Sequence, residues 1–76
     1  LSMGTAKIVK YSEEEVIIQI DNQREGFLIL TDSYYPSWRV KIDSGDELKI
    51  YRTDYIFRGV YTPAGKHNII FYNTLL

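Results

Sequence analysis

The sequence predicts an all-β fold, a small antiparallel β-sandwich of about seven strands, immunoglobulin-like or jelly-roll-like. Three observations lead there. Helical periodicity is missing along the whole chain; alternation with period two recurs in short runs rich in Ile, Val, Tyr and Phe; and turn-forming residues interrupt those runs roughly every 8 to 12 residues.

The first strand runs from Thr5 to Tyr11 and stops at Ser12 and the glutamates Glu13, Glu14 and Glu15. In the second, Val16, Ile18 and Ile20 share one face until the polar turn Asp21-Asn22-Gln23-Arg24-Glu25-Gly26. Phe27-Leu28-Ile29-Leu30-Thr31 is apolar on both faces, a pattern that predicts a strand at the centre of a sheet or covered on both sides. Asp32-Ser33-Tyr34-Tyr35-Pro36-Ser37 breaks the alternation, because Pro36 cannot donate to a ladder and pushes Tyr35 toward an extended conformation. A corner is expected there. The next strand places Trp38, Val40 and Ile42 inward and Arg39, Lys41 and Asp43 outward.

Ser44-Gly45-Asp46-Glu47 reads as a hairpin connection with Gly45 at positive φ, followed by a short strand from Leu48 to Arg52. After a break at Thr53-Asp54, Tyr55 to Tyr61 forms a further strand, in which Gly59 is expected at a bulge or beneath a bulky neighbour. Pro63-Ala64-Gly65-Lys66 makes the last turn, with Gly65 suited to positive φ. His67 to Asn73 closes the fold, with Ile69 and Phe71 on one face and Ile70 and Tyr72 on the other.

Composition narrows the functional classes. A chain of 76 residues supports one domain with a small core, and its seven tyrosines, three phenylalanines and one tryptophan supply much of the bulk. No cysteine is present, which excludes disulfide staples and cysteine-based metal or redox chemistry. A formal charge of −1 without a basic run argues against a nucleic-acid partner. No stretch is long and apolar enough for direct membrane insertion of this fragment. Leu1-Ser2-Met3-Gly4 does not resemble a natural start and is expected to be a cloning remnant. Residues 5–76 then form the domain, expected to be cut from a longer protein.

No motif marks a catalytic residue, a cofactor or a metal ligand set. Asp32, Asp43, Glu47, Asp54 and His67 have no spacing of an acid–base pair, and neither a nucleophile elbow nor a phosphate-cradling glycine loop occurs. The densest chemistry is Asp32, Tyr34, Tyr35, Trp38 and Arg39, with Arg58 and His67 as spatial neighbours. Two readings are open for it. It is a ligand platform, in which aromatic rings present apolar area to sugar rings while carboxylate and guanidinium groups bond hydroxyls. Or it is a structural corner, in which Trp38 fills the core and Asp32 caps the turn. Arg58 alternates with Ile56 and Val60, so it needs a partner inside, and Asp32 is the expected one. Tyr51, Tyr55, Tyr61 and Tyr72 belong to no motif; exposed together in one patch, they would mark an interaction surface. Thr5 to Tyr11 and Leu48 to Arg52 are expected as exposed edge strands.

The run from Gly26 through Trp38, the later Ile42-Asp43, and Arg58-Gly59-Val60 ahead of Pro63-Ala64-Gly65-Lys66-His67 together resemble the C-terminal extracytoplasmic region of the YfhO-like bacterial membrane proteins. That family has an apolar strand, a Tyr-Tyr-Pro-Gly-Trp corner, a Val-Asp-Gly turn, an Arg-Gly pair and Pro-Ala-Gly-Lys-His. Here Ser37 replaces the glycine, and the Asp-Gly turn is widened to Asp43-Ser44-Gly45-Asp46. The resemblance implies a multi-pass parent similar to lipid-linked-sugar glycosyltransferases and linked to glycosylation of lipoteichoic acid. This domain would be its non-catalytic accessory on the extracytoplasmic face of the bacterial membrane. Its partners would be the membrane-embedded remainder and a cell-wall glycopolymer. The rivals are a stand-alone carbohydrate-binding module and a structural spacer or protein-docking domain.

Overall fold

The apolar alternation of each run leaves it one face to bury, and two antiparallel sheets meet to bury those faces. The computed structural model describes residues 5–33, 37–43, 45–52 and 57–75, with the backbone alone of residues 31–33, 52 and 57. The Leu1 to Gly4 segment, the Tyr34-Tyr35-Pro36 corner, Ser44 and the break at Thr53-Asp54 lie outside the described residues. So do Tyr55 and Ile56. Eight strands occur among the described residues: β1 (Thr5–Tyr11), β2 (Glu15–Asn22), β3 (Gly26–Ser33), β4 (Trp38–Ile42), β5 (Glu47–Leu48), β6 (Tyr51–Arg52), β7 (Phe57–Thr62) and β8 (Gly65–Asn73). Sheet A has five strands in the order β1-β2-β8-β4-β5, and sheet B has three in the order β3-β7-β6.

All pairings are antiparallel: the β2–β8 pair encloses the β3–β7 pair, and the β4–β8 pair crosses it. Val16, Ile18 and Ile20 of β2, Trp38 and Val40 of β4, and Ile69 and Phe71 of β8 pack from sheet A against Leu30 and Val60 of sheet B. Leu28, Ile42, Leu48 and Ile50 close the margins of this core. At one end Thr62 is buried with its hydroxyl satisfied. It donates to the carbonyl of Gly26 (3.3 Å) and accepts from Asn22 Nδ2 (3.0 Å), which ties β2 of sheet A to sheet B.

Three expectations need correction. Leu48 to Arg52 is not one strand. Its first part, β5, pairs with β4 in sheet A; its last part, β6, pairs with β7 in sheet B; and Lys49-Ile50 crosses between the layers. That crossing raises the count to eight and closes one flank of the sandwich covalently. β3 is not a central strand; it is an edge of sheet B, with Phe27 and Ile29 exposed on the outer face. In the β4–β5 connection it is Asp43, with φ 56°, that adopts the left-handed conformation, and Gly45 does not. The short Asp43 carboxylate bonds across to β8, accepting from the Asn68 backbone N–H at 2.9 Å and pairing with His67 at 3.0 Å, and its own backbone N–H donates to the Asn68 carbonyl at 2.7 Å. Gly65 does take positive φ, at 103°, where β8 begins.

Phe71 sits at the middle of this arrangement, fully buried on the strand between β2 and β4. Truncating such a ring costs about 3–5 kcal/mol, against a total of about 4–11 kcal/mol for a domain of this size. Phe71→Ala is therefore expected to lower the thermal midpoint by about 20 °C or more, measured by circular dichroism.

Candidate functional site

The register of sheet B gathers its aromatic residues. Phe27 lies opposite Tyr61, and Ile29 and Tyr51 both lie opposite Gly59. Residues opposite one another in an antiparallel pair project from the same face. Leu30 and Val60 face the core, so Phe27, Ile29, Tyr51 and Tyr61 occupy the outer face. They are 41%, 50%, 39% and 63% exposed.

Gly59 makes the cluster possible. A Cβ there would stand 2.7 Å from Phe27 Cε2 and closer still to Cζ, so the phenyl ring lies down over bare backbone. This is the bulky neighbour that the sequence anticipated. Across the glycine the rings pack on one another: Phe27 to Tyr61 at 4.7 Å and 61°, Tyr51 to Tyr61 at 5.3 Å and 85°, Phe27 to Tyr51 at 6.3 Å and 59°. Lys49 Nζ stands 5.0 Å from the Tyr51 ring centre. Tilted and edge-to-face pairs are a favoured aromatic geometry. They leave an apolar relief rather than a flat table.

Of the described residues singled out from sequence, Trp38 and Arg58 come together, and Arg39 and His67 lie apart from them. Trp38 is buried in the core, where the Arg58 guanidinium stacks 4.0 Å above its ring and lies 5.6 Å from the Phe71 ring. A desolvated guanidinium over an indole is worth about 2 kcal/mol, and Trp38 offers no ring face to a ligand. Arg39 is on the opposite, outer face of sheet A, exposed, with its guanidinium 3.6 Å from Glu47. Glu47 also accepts the Tyr72 hydroxyl at 2.7 Å, a bond that raises the Tyr72 pKa. His67 lies along β8 from Asn73, the residue opposite Trp38, and that separation is about 20 Å. The Asp32 side chain, Tyr34 and Tyr35 lie outside the described residues, and with them the Asp32–Arg58 pairing. Tyr51, Tyr61 and Phe27 were reachable from sequence only as unplaced aromatics; the signal was Gly59 opposite a large residue on a paired strand.

His67 has a defined chemistry of its own. Its Nε2 bonds the carbonyl of Ala64 at 2.9 Å and its Nδ1 bonds Asp43 Oδ2 at 3.0 Å. A carbonyl and a carboxylate accept, so the two bonds form together when both ring nitrogens carry protons, and this arrangement favours the imidazolium form. The Asp43 bond, then the Ala64 carbonyl, hold its pKa above the ordinary 6.5. Asp43 is held below its ordinary 3.8, first by the Asn68 backbone N–H (2.9 Å) and then by His67. Left-handed Asp43 and this pair latch the β4–β5 hairpin onto the start of β8. No group of three His, Cys, Asp or Glu able to hold a metal ion occurs among the described residues.

Two outcomes follow. The contribution of His67 is complete below pH 6.5 and fades as pH rises through its elevated folded value, whereas that of Asp43 fades only as pH falls below 3.8. The difference in thermal midpoint between the wild type and His67→Ala should thus be largest between those values and shrink as pH rises above 6.5. Gly59→Ala should displace the Phe27 ring and cost about 1 kcal/mol, a cost expected to vanish in a Phe27→Ala background; an additive double-mutant cycle would show that the ring does not lie on Gly59.

Comparison with protein-family models, with curated proteins and with solved structures finds no match for this chain.

Proposed function

We propose that this chain is a non-catalytic accessory domain that works by docking, its aromatic face on sheet B set against the membrane-embedded remainder of a YfhO-like parent on the extracytoplasmic side of a bacterial membrane. The observation that carries the docking role is the outer-face cluster of Phe27, Ile29, Tyr51 and Tyr61. Contiguous exposed apolar residues are costly on a free-standing domain and are characteristic of interaction sites. Aromatic residues are also enriched in the buried centres of protein interfaces, where Tyr fills apolar pockets and keeps a hydroxyl for the rim. The assignment of the parent rests on the resemblance from Gly26 to Phe71, and with it the link to cell-wall polymer glycosylation.

Glycan binding fits this face less well. A sugar chain stacks on open ring faces that continue one another, whereas these rings turn their edges into each other at 59° to 85°. Among the described residues Lys10 pairs with Glu15, Arg39 with Glu47 and His67 with Asp43.

The test is a photo-crosslinking amino acid at position 61 of the full-length protein in its own membrane. The expected product is a crosslink within the same polypeptide, to a membrane-embedded segment or its adjoining loop. Crosslinking to glycopolymer would replace docking by glycan binding, and a parent gene without multiple apolar spans would overturn the membrane assignment.

A further inference from the structure

The outer face of sheet A holds a cleft of about 430 Å³ at the end where β1 and β8 begin and β2 and β4 finish. That volume lies in the range of small-molecule sites. Strand register builds the cleft from two rows. Lys7, Gln19 and Asn68 lie opposite one another on β1, β2 and β8, and Thr5, Asp21 and Lys66 do the same two residues further along, about 7 Å away. Ile18 and Ile20 alternate with Gln19 and Asp21 and are buried in the core, so both rows project outward. All six residues line the cleft. Asp43 and His67 wall it on the β4 side, fixed by their own ion pair at 3.0 Å and by the bond from the Asn68 N–H to Asp43.

Elsewhere on this face the polar side chains satisfy one another: Glu47 binds Arg39 and Tyr72, and Lys10 binds Glu15. In the cleft, the side chains of Lys7, Gln19, Asp21, Lys66 and Asn68 make no hydrogen bond or ion pair. Lys66 stands directly opposite Asp21 in the β2–β8 ladder, yet the two do not pair. The rows differ in what they offer. The Lys7 row presents an ammonium and two amide NH2 groups, and the neighbouring Asp43 is already bonded, which makes it a donor set for a carboxylate. The Lys66 row sets a carboxylate between a hydroxyl and an ammonium. A ligand hydroxyl there donates to Asp21 and accepts from Lys66 or Thr5. Two unpaired ammoniums against one unpaired carboxylate leave a single positive charge in excess, which suits a monoanion better than a doubly charged phosphate.

We propose that this cleft binds a sugar acid of monosaccharide size, its carboxylate held by Lys7, Gln19 and Asn68 and its hydroxyls by Asp21, Lys66 and Thr5. The spacing of the rows matches a ring that carries its acid at one end and its hydroxyls at the other. The cleft is open and its lysines stay solvated, so binding is in the millimolar range and rests on the number of polar contacts, not on any one ion pair. The site lies on the opposite layer from the aromatic face of sheet B and does not depend on docking through that face.

The probe is D-glucuronate, titrated into the isotope-labelled chain and followed by NMR, with acetate and glucose as the two halves of its chemistry. The expected result is saturable shifts at the amides of Lys7, Gln19, Asp21, Lys66 and Asn68, and binding of either half at least about tenfold weaker. Lys7→Gln and Asp21→Asn alter exposed side chains outside the core; each should weaken glucuronate about threefold to tenfold, whereas Lys10→Gln, at the far end of β1, should leave it unchanged. Methyl glucuronide separates two sources of the same chemistry: binding equal to that of the free acid supports a sugar acid within a glycan, and weaker binding supports a free one. Failure of glucuronate to shift these amides, or unchanged binding in both cleft variants, would overturn the proposal. So would equal binding of glucose, or equal binding of acetate, which would mark an adventitious anion only.

Discussion

Sheet A presents five strands to a sheet B of three, and a layer of three cannot seal a layer of five. Where the layers overlap, Val16, Val40, Val60, Ile69 and Phe71 are withdrawn from water almost completely. Past the overlap, β1 is exposed along its whole length among the described residues. This mismatch explains why one core is well packed although the chain is small, and why its exposed apolar residues are grouped instead of scattered. The Lys49-Ile50 crossing closes one flank, so the whole deficit of sheet B falls on the other, at the edge of β3.

Within the overlap, the least expected occupant is Arg58. A buried charge is expensive unless its surroundings compensate for it, and here the indole of Trp38 offers its π-face at 4.0 Å. The largest ring of the core is thereby committed to holding the guanidinium. That commitment removes Trp38 from the ligand platform that its neighbours in sequence suggested. The outer face of sheet B is built on the opposite device, a glycine that lets Phe27 lie flat and draws Tyr61 and Tyr51 around it. Polar contacts are found mainly on the other layer, where Glu47 joins Arg39 to Tyr72 and Asp43 joins His67 to the backbone of β8. The two outer faces are therefore chemically distinct, one aromatic and one ionic.

Much of the fold was legible because strand alternation is a local property. The strand formed by Thr5 to Tyr11, the inward sets Val16-Ile18-Ile20 and Trp38-Val40-Ile42, and the opposed faces of β8 each follow from residues adjacent in sequence. Gly65 at positive φ follows from local turn chemistry in the same way. What was misread depends on partners remote in sequence. β3 reads as central because both its faces are apolar, but its place in a sheet depends on which strands lie beside it. Asp43, not Gly45, turns left-handed because Asn68 and His67, more than twenty positions away, supply its hydrogen bonds.

The sequence by itself determined an all-β chain without cysteine chemistry, the approximate place of most strands, and the shared faces of β2 and β4, since period-two alternation and turn residues act over a few positions. Tertiary structure alone decided which strands are neighbours: that Leu48 to Arg52 divides between the layers, that Phe27, Tyr51 and Tyr61 meet over Gly59, and that Arg58 finds Trp38. It also decided that β1 and β3 are edge strands among the described residues. Long-range pairing sets these contacts, and no local pattern encodes which remote segment will satisfy an edge.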